Sequence, residues 1–119
     1  MPVIVENLKT IVRSQYEGAH FVYIGREGYG HKASPLANSF HVGADGTREE
    51  VIDKYRMWLQ EQMESKTPAR REIVRLGRMH FHEMRDVVLL CYCKPLACHG
   101  DVVREFILGE CPVSMSTAS

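Results

Sequence analysis

Hydrophobic positions in this chain come in two kinds of run, short extended ones and longer helical ones, and the two alternate. Residues 2–8, PVIVENL, and 20–26, HFVYIGR, are rich in β-branched and aromatic side chains, and each predicts a strand, the second stopped by Gly25. Residues 47–63 follow a different period. Thr47 and Glu50 make the T-x-x-E signature of a capped helix start, and Val51, Ile52, Tyr55, Trp58, Leu59 and Met63 recur on one face. A stripe of that kind predicts core, Trp58 included. Thr67 and Pro68 open a second, shorter helix that carries Ile73, Val74 and Leu76 and is expected to end at Gly77. Residues 86–93, DVVLLCYC, do not alternate at all, which predicts a strand buried on both faces, as in a parallel sheet. A last helix is expected from Gly100 or Asp101 to Gly109.

The order strand, strand, helices, strand, helix predicts an α/β fold. Its form is a small Rossmann-like three-layer domain with a mostly parallel sheet of few strands, spanning 1–111 and followed by a flexible tail, 112–119. Between the second strand and the first helix lies a long polar stretch, 25–46, with five glycines, Pro35 and no helical period. Loops that long inside compact domains are functional or mobile. Ligands of open α/β sheets bind beyond the carboxyl ends of the strands. Two segments occupy such ends, the 25–41 loop and the 93–101 turn, and a shared site is expected between them.

Charge and composition narrow the classes of function. Of 119 residues, 15 are Lys or Arg and 15 are Asp or Glu, so no global field draws the chain to nucleic acid or an anionic membrane. The apolar runs are far too short to span a bilayer. The N-terminal MPVIVENLK lacks the basic start, apolar core and cleavage site of a signal peptide. A cytoplasmic location is therefore expected, and there the four cysteines would stay reduced.

Three of those cysteines and a histidine crowd into residues 89–103, LLCYCKPLACHGDVV. As zinc ligands, Cys91, Cys93, Cys98 and His99 have poor spacing, since Cys98 and His99 are adjacent and the usual C-x2-4-C and H-x3-5-H intervals are missing. The fold is expected to stand without metal, and Cys91 to be a small apolar filler. An anion site is better supported. CHGD opens a helix, whose first N–H groups and positive dipole end attract phosphate or carboxylate, and Gly100 would let a ligand close to the backbone. Asp101 can equally cap the helix itself. Cys98, at the same helix start, is a candidate nucleophile with a lowered pKa. The long loop adds Arg26, whose guanidinium can grip an anion in a fork, with Ser34, Asn38 and His41. His80 and His82 read as surface residues of a connector. Tyr23, Tyr29 and Phe40 can stack on a base or pack in the core, with core favoured for Tyr23.

VYIGR, SPLANSF, Y-R-x-W-L and LLCYCKPLACHGDVV, taken in order, resemble the successive motifs of the DUF4326 family of small bacterial and phage proteins. The resemblance runs from Val5 to Ile107. The family's usual middle motif is closer to S-P-L-G-N-P-F, and here Ala37 and Ser39 replace the Gly and the second Pro. The C-terminal motif is also similar to the cysteine-histidine turn of the DUF488 family. Both likenesses imply an α/β fold and carry no activity with them.

The functional expectation is a small anionic or nucleotide-like ligand bound at the carboxyl end of the sheet, with no cofactor and with self-association left open. Arg26 would hold the anion and Asn38 orient the ligand, with Ser34, His41, His99 and Gly100 around it. Chemistry on a nucleotide or its glycosidic bond would use Cys98 or Asp101 as nucleophile or base. Two alternatives come from other classes: a non-catalytic phage protein that sequesters a host signalling nucleotide in the host cytoplasm, and a zinc-stabilised interaction module.

Overall fold

The computed structural model describes residues 3–28, 30–92, 94 and 96–109. Tyr29, Cys93, Pro95 and the tail 112–119, all named above, lie outside the described residues. Three strands, β1 (Val3–Asn7), β2 (His20–Tyr23) and β3 (Val87–Cys91), form one sheet in the order β1-β3-β2, parallel throughout. The helices are α1 (Arg48–Gln62), α2 (Pro68–Phe81) and α3 (His99–Leu108). The architecture is a small Rossmann-like α/β fold.

Strand order and handedness together assign the layers. The connection from β1 to β2 steps over the position of β3, and the connection from β2 to β3 steps back. Right-handed crossovers travelling in opposite directions must lie on opposite faces. On one face, Val87, Leu89 and Cys91 join Val3 in a core with residues of all three helices, among them Tyr55, Leu59, Ile73, Leu76, Val102 and Val103. On the other face point Val88 and Leu90 and their neighbours Ile4 and Phe21. That side is covered by the 8–19 connector with its single 3-10 turn, Arg13–Tyr16. The Arg13 guanidinium sits 4.9 Å from the centre of the Phe21 ring, and the Tyr16 hydroxyl donates to the Glu6 carboxylate. The third layer is thus a strap rather than a helix. It suffices to bury β3 on both sides, at 0–2% exposure along its whole length, as the unbroken apolar run requires.

The first helix begins where its capping signature puts it. Thr47 Oγ1 accepts from the Glu50 N–H, and Glu50 Oε1 accepts from the Thr47 N–H at 2.8 Å. Its stripe is buried at Val51, Tyr55 and Leu59 and only partly buried at Ile52, Trp58 and Met63. Tyr55 and Leu59 are fully enclosed, while Trp58 is half-buried and packs its ring 5.5 Å from that of Tyr55. Four further residues of α2 follow Gly77, which does not end the helix. Gly77 has no positive φ, and a Cβ there would make only an ordinary contact, 3.9 Å from the Ile107 carbonyl, so nothing at this position breaks the helix. His80, expected on the surface, consequently lies inside α2 and is buried; His82 is exposed.

The long loop is anchored to the core at its middle. Leu36 is fully buried, and its carbonyl accepts the Tyr55 hydroxyl at 2.6 Å. An ordinary loop over a helix would leave that carbonyl to water; here a buried phenol holds it, and burial pushes the Tyr55 pKa up.

Candidate functional site

Helices that follow parallel strands run back along them, so α1 and α3 both start at the carboxyl rim of the sheet. The loop after β2 leaves from the same rim. These three segments enclose a cavity of about 450 Å³, within the range usual for small-molecule sites. Its floor is Cys91, Cys98 and His99; its wall carries Arg26, Glu27, Asn38 and His41 from the loop; Arg48, Val51 and Ile52 of α1 close the other side.

Arg26 is aimed by its own backbone. The Tyr23 side chain folds over Gly25 and donates its hydroxyl to the Arg26 carbonyl, a path that leaves no room for a Cβ at Gly25. The guanidinium lies against His41, with one terminal nitrogen 2.6 Å from Nδ1 and 2.8 Å from Nε2. His41 is fixed in turn by its N–H, which donates to the Asp45 carboxylate at 2.7 Å. Asn38 commits Oδ1 to the Phe40 N–H at 2.9 Å, and this leaves its NH2 group to donate. Ser34 is not brought to the cavity: its hydroxyl accepts from the Leu36 N–H and shapes the turn.

Arg48 was not anticipated. It occupies the first position of α1, lines the cavity and donates to the Ala97 carbonyl at 3.1 Å, tying α1 to the turn before α3. The available signal was topological: the first residue of a crossover helix starts at the carboxyl rim, where the loop cation already stands. With Arg26 and Arg48 against Glu27, the wall carries a net positive charge.

At the start of α3 the residues divide their roles. Asp101 does not line the cavity. One carboxylate oxygen accepts from the Cys98 N–H at 3.1 Å and the other from Lys94 Nζ at 2.6 Å, so it caps the helix and is neutralised by its own ion pair. Gly100 is enclosed rather than open to a ligand, since a Cβ there would meet Val5 Cγ1 at 2.7 Å. Cys98 does line the cavity, and its sulfur is 3.4 Å from that of Cys91. His99 is buried with its ring edge-on to Tyr55; Nε2 lies 2.8 Å from the Ile24 carbonyl, which can only accept, so Nε2 carries the proton and the neutral ring keeps Nδ1 as an acceptor. Among the described residues, no group of three or more His, Cys, Asp or Glu side chains is arranged to hold a metal ion.

Burial holds His99 below the usual histidine range, and burial does the same for His80 and His20. The unfolded chain therefore takes up these protons first as pH falls. Their contribution to stability is complete above about pH 6.5 and is lost as pH drops below it through the folded-state values. The melting temperature should be level above that point and fall toward about pH 5, ahead of the carboxylate range. His99→Gln, which keeps a donor for Ile24, should remove part of the slope. A flat wild-type profile across this window would show that these rings are not held neutral.

No helix of the described residues is long and apolar enough to cross a membrane. No curated protein and no solved structure matches the chain. A family model does, that of the domain of unknown function DUF4326, and it covers residues 9–109, from the strap through the whole rim to the end of α3. By that match across most of its length, the chain belongs to the DUF4326 family.

Proposed function

We propose that the cavity binds a small phosphorylated or nucleotide-like ligand. The observation that carries this is the pairing of two guanidiniums, Arg26 from the loop and Arg48 from α1, on the wall of a cavity whose floor is the N-terminus of α3. Forked cations and a helix start favour the same ligand charge. The Phe40 ring, which also lines the cavity, offers an apolar face to a base, and the Asn38 NH2 offers a donor to its edge. Chemistry on a nucleotide or its glycosidic bond would fall to Cys98, the thiol on the floor. Asp101, already engaged by Lys94 and the helix cap, is the weaker candidate for that role.

A binder that sequesters a nucleotide shares this geometry, and turnover separates the two. Native mass spectrometry of freshly purified protein should show a co-purified anionic ligand or, after addition of a nucleotide panel, a bound member of it. Analysis of the ligand released by denaturation then decides: a converted molecule means catalysis, an unchanged one sequestration. If neither nucleotides nor inorganic phosphate bind at millimolar concentration, the anion-site proposal fails.

A further inference from the structure

Two thiols meet at the floor of the cavity, one from the end of β3 and one from the cap of α3. Cys91 and Cys98 are seven residues apart, both line the cavity, and their sulfurs stand 3.4 Å from each other. Neither packing nor anion binding calls for a second sulfur there. We propose that Cys91 and Cys98 are a reactive dithiol that a small hydroperoxide, entering through the cavity, oxidises to a disulfide.

The surroundings suit that chemistry. The Cys98 sulfur sits at the N-cap of α3, where the dipole favours a thiolate. The Lys94 ammonium is near enough to interact with both sulfurs. Against this, burial opposes a thiolate, and the two residues are only 1% and 3% exposed. That restriction bears on the choice of oxidant, since a small hydroperoxide is a compact, uncharged two-electron oxidant and the cavity gives it a path. In the first step the Cys98 thiolate attacks the terminal peroxide oxygen. An S–O bond forms, the O–O bond breaks, and the alkoxide leaves with the proton that Cys98 gave up. The sulfur is oxidised by two electrons to a sulfenic acid and the peroxide is reduced to an alcohol. In the second step the Cys91 sulfur attacks that of Cys98. The S–S bond forms, the S–O bond breaks, and hydroxide takes the Cys91 proton and leaves as water. Two thiols and one hydroperoxide thus give one disulfide, one alcohol and one water. The sulfurs must close from 3.4 Å to about 2.05 Å, a movement on the scale of small side-chain rotations. The proposal does not depend on whether an anion occupies the cavity.

The test uses the full chain, reduced, desalted and titrated with hydrogen peroxide. Intact mass should fall by two hydrogens at one equivalent, and tandem peptide mapping should place the bond between Cys91 and Cys98. Cys93→Ser should retain it. Cys91→Ser should lose it and instead yield a sulfenic acid on Cys98 that a dione reagent traps, and Cys91→Ala is the second choice if the serine variant does not fold by circular dichroism. Mapping of the bond to Cys93 or Cys111 would overturn the assignment. So would folded wild-type protein that keeps both thiols under excess peroxide, or one zinc per chain in the reduced protein by elemental analysis.

Discussion

Gly100→Val should unfold at a clearly lower denaturant concentration than wild type. The residue lies in the first turn of α3, where a side chain would normally be harmless and even favour the helix. Here the helix start is pressed against the sheet. The Cβ alone would stand 2.7 Å from Val5 Cγ1, with Cys98 Sγ and Ile24 Cδ1 both at 3.2 Å, and valine adds two more carbons in the same space. Overfilling a packed core costs about 1–3 kcal/mol in general, and a clash with the buried Cys98 and Ile24 and the half-buried Val5 belongs near the top of that range. A domain of this size has about 5–15 kcal/mol in total. Chemical denaturation of wild type, Gly100→Ala and Gly100→Val should give midpoints that fall in that order. A valine variant as stable as wild type would mean that α3 does not approach the sheet this closely.

Removal of both cavity guanidiniums should weaken anion binding at least as much as the worse single removal does, while the fold survives. Among the described residues, the Arg26 side chain hydrogen-bonds to the His41 ring at the surface, and the hydrogen bond of Arg48 to Ala97 is solvent-exposed, so neither guanidinium is packed into the core. A charge-assisted contact is worth about 1.5–3 kcal/mol, so each single alanine variant should weaken a bound phosphate roughly ten- to a hundredfold. The two contacts share one ligand and need not add, so the double variant should lose at least as much as the worse single one. Calorimetric titration of inorganic phosphate and of a nucleotide panel into the four proteins, with melting temperature as the control, separates lost binding from lost structure. Unchanged affinity in the double variant, still folded, would remove the guanidiniums from any site.

The parts of the fold that were legible in the sequence are those fixed by local rules. Thr47 and Glu50 placed the start of α1 because a capping box needs only four residues. Val87–Cys91 read as a doubly covered strand because five apolar residues in a row suit no exposed surface. Gly77 misled because a glycine that ends a helix and one that lies inside it look alike in sequence; only a positive φ makes the first, and Gly77 has none. His80 was misplaced with it. Trp58 satisfied the helical period, but periodicity names a face and not how far a neighbour reaches across it. At the site, the two rim segments were foreseeable from strand order, and Arg26, Asn38, His41, Cys98 and His99 do share a cavity. Ser34, Gly100 and Asp101 took structural duties instead, each decided by a neighbour distant in sequence or by a competing local hydrogen bond. Arg48 was legible only through the topology that puts the start of α1 on the rim, and the Cys91–Cys98 approach belongs to tertiary structure alone.

The strand order has a consequence for synthesis. Among the described residues, β1 and β2 do not pair with each other; each pairs with β3, which is made after both. While the ribosome has delivered only the first 86 residues, no ladder of the native sheet exists, and the apolar sides of the first two strands and of α1 wait without their central partner. Closure then requires the late strand to slot between two segments separated from it by more than 60 residues, a slow, non-local step. During that interval the nascent chain depends on α1 and α2 packing together, or on a chaperone, to stay out of aggregates. The sheet is in this respect built like an arch: neither of its ladders stands until the middle strand is in.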